Sequence, residues 1–314
     1  MSENVASQFN PRLAVIIPTH NRWHEARISL ACLERSGYRN FEIVLVEDGC
    51  TDGTAENCRR EFPRVCLLHG DGNLWWSGAI NMGLDYALAG GFDAVVWLND
   101  DNRVEPETLG RLVESFERKG ARSIIVSRIK TAGTEADEWT GGPPPWHAKF
   151  KDWTPPDFRS ATEVAIEYPP GGQGVLIPSS VFNEIGRIDA RAFPHYWADH
   201  DFHFRALRAG YKYFIATGAV VHNVPNERRP QYDTIHASLK GARWFLFDQR
   251  SSMNPVILRR MIKRHLPPRE YRETFYPLLW RQLKWLASGW AANKPVLHKS
   301  LRFVKRNLLA WRRA

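Results

Sequence analysis

The residues best suited to chemistry gather in a few short polar segments, each directly behind an apolar run. Asn99-Asp100-Asp101-Asn102 follows one such run, and Glu47-Asp48-Gly49-Cys50-Thr51-Asp52-Gly53 another; Pro18-Thr19-His20-Asn21-Arg22 and His69-Gly70-Asp71-Gly72-Asn73 follow two more. Each alone is ordinary turn and helix-cap chemistry. Their meaning changes if the apolar runs are neighbouring strands of one sheet, because the carboxylates then converge on one crevice. Converging carboxylates with neither a P-loop lysine nor a G-x-G-x-x-G segment suit a phosphate held through a hard divalent ion, Mn2+ or Mg2+, rather than in a glycine-rich cradle. The ligand implied is a nucleoside diphosphate derivative. A separate acidic segment, Ala198-Asp199-His200-Asp201, opens a helical stretch and offers a carboxylate for general-base work.

The elements that must position these residues are legible from periodicity. Apolar runs rich in β-branched residues recur at Leu13–Pro18, Phe41–Glu47, Val65–His69, Ala94–Asn99 and Ser123–Lys130. Helical stretches lie between them at Arg22–Ser36, Thr54–Phe62, Ser77–Ala89 and Pro106–Lys119. Strands alternating with helices predict a doubly wound α/β fold with a mostly parallel sheet covered on both faces. In such sheets ligands bind outside the carboxyl ends of the strands, where the polar segments lie. Residues 131–160 read as a long loop rich in Gly, Pro and Trp. Regular structure resumes at Glu163–Glu167, passes the turn Pro169–Gly174, a strand at Val175–Ile177 and a helix from Ser179, and ends with a helix over Asp199–Ala209 and a strand over Ala219–Asn223.

The chain of 314 residues, with 13 Trp, 16 Phe and 9 Tyr, is too rich in aromatics to be disordered. Its net charge of +9 is unevenly spread: residues 255–314 hold fifteen Lys and Arg against Glu270 and Glu273, leaving the first 254 residues mildly acidic. An electrostatic partner is therefore expected at the C-terminal end. Cys32, Cys50, Cys58 and Cys66 form no C-x-x-C pair and no zinc spacing, which fits a reducing cytosol. The N-terminus carries no signal-peptide pattern and no run of eighteen apolar residues occurs, so neither secretion by a standard signal nor a membrane span is expected. The expected organisation is an N-terminal extension (1–12), a globular domain (13–254) with a first half (13–130) and a second half (161–254), and a basic amphipathic helical tail (255–314).

The order of motifs P-T-x-N-R at Pro18–Arg22, VEDGCTDGT behind the second strand, N-x-x-x-x-G-x-x-N-x-G at Asn73–Gly83, LNDDNRV, WADHDFHFR and VVHN resembles glycosyltransferase family 2, the inverting enzymes of the GT-A fold. The likeness spans Leu13–Asn223. It implies a donor pocket lined by Pro18, Thr19, Asn21, Arg22, Asn73, Trp76, Gly78 and Asn81, with Asp48 on the base. A carboxylate there suits a pyrimidine N3–H, since an ionised Asp only accepts, and favours a UDP- or dTDP-linked sugar. Asp52 serves that loop or caps the following helix. Asn99-Asp100-Asp101 stands where the family has its D-x-D metal motif, with Asn at the first position; Asp101 is the implied ligand of Mn2+ or Mg2+, Asp100 and Asn99 face ribose or sugar, and His222 matches the family's imidazole ligand. Asp199 matches the family's general base, with Asp201 as the alternative because Ala198 replaces the usual Glu. Gly171, Gly172, Gln173 and Trp197 fall on the acceptor side. Trp75 and Trp76 depart from the family and either stack on sugar or pack under the loop, and Arg205 pairs with Asp201 or supports the helix.

In the tail, Leu279, Trp280, Leu283, Trp285, Leu286 and Trp290 form one stripe and Leu301, Val304, Leu308, Leu309 and Trp311 another, interleaved with Lys and Arg. Basic amphipathic helices bearing Trp lie in membrane interfaces; packing on the catalytic domain, or on a second copy in a homodimer, is the alternative. No RRM, KH, helix-turn-helix or zinc-finger pattern supports nucleic-acid binding. The expectation is a glycosyltransferase acting on a glycan or lipid-linked acceptor in cell-surface polysaccharide synthesis, cytoplasmic and peripheral on the inner membrane face. The competing readings are a nucleotide-sugar-binding protein without turnover and a nucleotidyltransferase, although Pro18-Thr19-His20-Asn21-Arg22 lacks the latter's glycines.

Overall fold

In the computed structural model, which describes residues 9–134, 136–138, 142, 154, 157–159, 161–225 and 239–292, the chain divides into two compact units, 1–226 and 227–314. The division lies ahead of the 254/255 boundary expected from the charge switch. Packing explains the difference: a helix that the sequence reading did not anticipate, α7 (Leu239–Phe247), packs on α8 (Pro255–His265), which packs on α9 (Pro268–Ala292).

The first unit is built on one mixed sheet. Strands β1 (Leu13–Thr19), β2 (Phe41–Asp48), β3 (Cys66–Gly70) and β4 (Ala94–Trp97) run parallel in the order β3-β2-β1-β4. Beyond β4 come β8 (Val175–Pro178), antiparallel, then β6 (Ser123–Thr131) and β9 (Lys212–Asn223), parallel to each other. Two short strands, β5 (Asn102–Val104) and β7 (Glu163–Ile166), pair antiparallel with β9. The apolar run expected as one strand over Ala94–Asn99 thus breaks at the acidic loop, and β5 carries the chain out of it. The β1 residues Leu13, Val15 and Ile17 on one face and Ala14 and Ile16 on the other are wholly buried, as a central parallel strand covered on both faces requires.

Helices α1 (Trp23–Glu34), α2 (Thr54–Glu61), α3 (Trp75–Ala89), α4 (Thr108–Lys119), α5 (Ser179–Ile185) and α6 (Ala198–Arg208) complete the unit. The base of the site is aromatic. The wholly buried Trp97 meets Trp76 edge to face at 5.8 Å and packs against Phe182, Phe202 and His203, so α3, α5 and α6 are keyed to the end of β4 by one side chain.

Of the tail's first stripe, Leu286 is buried, and Trp285 packs on Phe245, inside the C-terminal unit. Trp280 and Leu283 remain exposed with Tyr276, one helical repeat apart. The stripe therefore splits between packing and surface. The Trp290 side chain and the second stripe lie outside the described residues. Among the described residues no helix is long and apolar enough to cross a membrane, and all four cysteines are free thiols.

Candidate functional site

The strand ends converge as expected, and side chains tie them into one floor. Thr19 Oγ1, at the end of β1, donates to Asp100 Oδ2 at 2.8 Å. Asn21 Oδ1 accepts from the Thr51 amide at 2.7 Å, joining the β1 and β2 loops. Asp52 accepts from the Trp23 and Thr54 amides (2.9 and 3.2 Å) and so caps the starts of both α1 and α2; the capping alternative holds for this residue. Both Asp48 oxygens accept backbone amides of the β3–α3 turn, from Gly72 at 2.8 Å and Trp75 at 3.0 Å. A Cβ at Gly49 (φ +62°) would lie 2.7 Å from the Gly72 Cα, so only glycine lets these two loops meet. Asp48 is thus the tie of that turn, and any base contact uses its remaining lone pairs.

Arg22 spans the acid pair. Its guanidinium lies 3.1 Å from Asp100 Oδ1 and 3.1 Å from Asp101 Oδ2. Both Asp100 oxygens are engaged, while Asp101 Oδ1 accepts no hydrogen bond among the described residues. Burial pushes the Asp100 carboxyl up to about 7; Asp101 pushes it the same way, while Arg22 and Thr19 oppose the rise. Arg103 fixes the loop from behind, donating to the Asp100 carbonyl at 3.1 Å and pairing with Glu25.

Asn102, at the end of the acidic run, is a wholly buried hub. Its Oδ1 accepts the Asn99 amide at 2.9 Å, and its Nδ2 donates to Gln173 Oε1 at 3.0 Å and Asn223 Oδ1 at 3.4 Å. The acidic loop, the acceptor-side loop and the end of β9 therefore share one amide.

The acceptor side adjoins through Trp76. Its Nε1 donates to Asn99 Oδ1 at 3.0 Å, and its ring presses so closely on Gly172 that a Cβ there would sit 2.5 Å from an indole carbon. Trp76 therefore packs under the loop, held by Trp97 and Asn99, while its side chain stays half-buried. Asp199 flanks Gly172 on the same side, its Cβ 3.3 Å from that added Cβ, and its Oδ1 accepts from the His200 amide (2.8 Å) and pairs with the His200 ring (2.9 Å). Its Oδ2 accepts no hydrogen bond among the described residues and faces Gly171. Burial opposes ionisation of Asp199, but His200 and His203 outweigh it and hold the carboxyl below its ordinary value. The side chain is 21% exposed.

Asp201 is wholly buried instead, bound to Arg205 Nε at 3.1 Å, while the other guanidinium nitrogens hold the carbonyls of Ile185 (2.6 Å) and Arg187 (2.8 Å). Trp197, just before α6, is in the left-handed region at φ +70°. The other described non-glycine residues with positive φ are Asn21 and Trp75, at the starts of α1 and α3. All three stand on loops of this crevice, where strained backbone collects in functional sites.

Several expected residues have other partners in this structure. The Asn81 amide exchanges bonds with the Ile188 backbone (2.8 and 3.1 Å) and ties α3 to the segment after α5. Gly78 is inside α3, its amide bonded to the Leu74 carbonyl, and Asn73 lies in an exposed turn with Asp71. His222 Nε2 pairs with Glu105 at 2.9 Å, and among the described residues no three His, Cys, Asp or Glu side chains form a metal-holding group. The family resemblance singled out this imidazole, whereas its partner Glu105 lies 117 residues away, beyond the reach of any local pattern. The acid pair nevertheless fits a hard ion that completes its shell from a ligand. Mg2+-like ions are held by one or two carboxylates plus phosphate oxygens, and Asp101 presents an open oxygen.

Residues 14–166 match the family described as Glycosyl transferase family 2. The undecaprenyl-phosphate mannosyltransferase of Micrococcus luteus is 28% identical over 131 residues, 41% of this chain and 52% of the relative. The N-acetylglucosaminyl-diphospho-decaprenol L-rhamnosyltransferase of Mycobacterium tuberculosis is 25% identical over 265 residues, covering 76% of this chain and 85% of the relative. The chain spans about half to two thirds of the length of the first curated relatives it matches, between 52% and 63%. A crystal structure of GalNAc-T7 with UDP, GalNAc and Mn2+ superimposes with a TM-score of 0.62 at 15% identity, over 85% of this chain and 50% of that one. The fold is therefore the GT-A type.

Proposed function

We propose that this chain, which carries a family 2 glycosyltransferase domain over residues 14–166, moves a sugar with inversion from a UDP- or dTDP-linked donor to a hydroxyl of a glycan or lipid-linked acceptor. The observation that carries the reading is the contact path from the acid pair to a single open carboxylate. Asn99 binds Trp76, Trp76 packs on Gly172, and Gly172 abuts Asp199. On this reading the donor phosphates sit at the β4 end and the proton is removed at α6, the two joined through Trp76 and Gly172.

Asp199 Oδ2 takes the proton of the acceptor hydroxyl as that oxygen attacks the anomeric carbon from the side opposite the diphosphate. His200 holds Oδ1, so the carboxylate presents one oxygen in a fixed orientation. Inversion in one displacement needs no second carboxylate nucleophile, and Asp201, buried against Arg205, serves as the brace of α6. Asp100 and Asp101 would hold Mn2+ or Mg2+, which when bound neutralises charge developing on the leaving diphosphate. Asn102 and Thr19 keep the acidic loop in register with both neighbouring loops.

The lipid-linked acceptor is supported by the named activities of the relatives and by the surface of α9. Tyr276, Trp280 and Leu283 are exposed there, Trp280 at 61%, alongside Arg272, Arg281 and Lys284. That surface suits the anionic inner face of a cell membrane.

Calorimetric titration with a panel of nucleoside diphosphates and nucleotide sugars, with and without Mn2+, tests the donor site. Metal-dependent binding of a UDP or dTDP ligand is expected in the wild type and its loss in Asp101→Ala. No nucleotide binding under any condition would leave the carboxylates as structural ties and overturn the reading.

A further inference from the structure

The geometry points to Arg22 as a latch on the acid pair, one that makes divalent-ion binding depend on the arrival of a diphosphate. The inference rests on the donor-site reading above and goes beyond it by assigning an order and a coupling. Arg22 bridges Asp100 Oδ1 and Asp101 Oδ2 at 3.1 Å each. Among the described residues no other basic side chain pairs with either carboxylate. Arg103, close by, is fixed on Glu25 and on the carbonyls of Asp100 and Asn102. An ion approaching the open oxygen of Asp101 therefore meets a guanidinium already seated on the other oxygen of the same carboxylate, and like charges compete for one acid pair.

A diphosphate changes the balance by offering the guanidinium a more highly charged acceptor that its planar fork matches equally well. The movement needed is confined to one side chain. The Arg22 carbonyl is held by the Ala26 amide at 3.0 Å, and the next amide, Trp23, is capped by Asp52 at 2.9 Å. The start of α1 stays in place while the guanidinium swings from carboxylate to phosphate. The ion then inherits both acids, and by linkage ion and nucleotide each raise the other's affinity by the same factor.

The test uses the full chain with Mn2+ as the probe, free ion being followed by its electron paramagnetic resonance signal, in the absence and presence of UDP. Wild type should bind Mn2+ weakly alone and at least about tenfold more tightly with UDP. Arg22→Gln should bind Mn2+ alone at least about tenfold more tightly than wild type, with the UDP-dependent gain shrinking towards unity. Arg22→Lys, which keeps the charge but loses the fork, should fall between them and covers a failure of the glutamine variant to fold. If wild type binds UDP but shows no coupling, or Arg22→Gln folds and keeps the full coupling, the latch is wrong and the donor site stands. If neither UDP nor dTDP binds to any of the proteins with or without Mn2+, the donor-site reading itself fails; if dTDP alone binds, the same measurements made with dTDP decide on the latch.

Discussion

Asp199 and Asp201 are two residues apart, and replacing each by Asn should break different properties. Asp201 is wholly buried and is the anion beside Arg205, whose remaining nitrogens clamp the Ile185 and Arg187 carbonyls. Removing one member of a buried ion pair costs about 3–5 kcal/mol. Arg205 is 22% exposed and keeps its carbonyl bonds, which reduces the expected loss to about 2–3 kcal/mol. At about 2–4 °C per kcal/mol for a domain of this size, Asp201→Asn should melt roughly 5–10 °C lower and keep measurable turnover below its melting point. Asp199→Asn keeps the volume and the acceptor oxygen for the His200 amide, so its melting temperature should stay within about 2 °C. Its turnover should fall about 10²–10⁴-fold. Scanning calorimetry of both variants, with nucleoside diphosphate release measured on the donor that the titration identifies, separates the two. An Asp201→Asn protein with wild-type melting and abolished turnover would refute the assignment and move the base to Asp201.

Gly172→Ala places a methyl 2.5 Å from an indole that Asn99 and Trp97 prevent from retreating, so the loop must shift by about 1 Å; turnover should drop about a hundredfold with nucleotide affinity little changed. His203 is buried, with burial pushing its imidazole down to about 3. Its folded value is below the unfolded 6.5, so its stabilising effect is full above pH 6.5 and is lost progressively as pH falls towards 3. Between pH 6.5 and 5 that loss is about 2 kcal/mol, and denaturant titrations of His203→Asn should show a correspondingly flatter pH dependence than wild type. Trp280→Ser with Leu283→Ser should weaken co-sedimentation with phosphatidylglycerol vesicles at least about tenfold; wild type failing to sediment with them would remove the membrane from the proposal.

What the sequence exposed and what it concealed follow from the range of the interactions. Strand periodicity is local, and it placed Thr19, Asp48 and Asp100 at strand ends on one edge of a parallel sheet. Capping is local too, and Asp52, two residues before Thr54, was already a candidate cap. The identity of partners is not local. Arg22 meets Asp101 across 79 residues, Asn102 meets Asn223 across 121, and Asn81 meets Ile188 across 107, and no periodicity encodes such pairs. The acid choice on α6 lies between these cases. Successive helical residues turn by about 100°, so Asp199 and Asp201 point some 200° apart and meet different neighbours. Arg205, four residues beyond Asp201, shares its face, and its guanidinium pairs there with the wholly buried Asp201 carboxylate. The i,i+4 pair was therefore itself the sign that Asp201 braces the helix, which leaves the carboxylate on the opposite side, beside the glycines of the acceptor loop, for the proton.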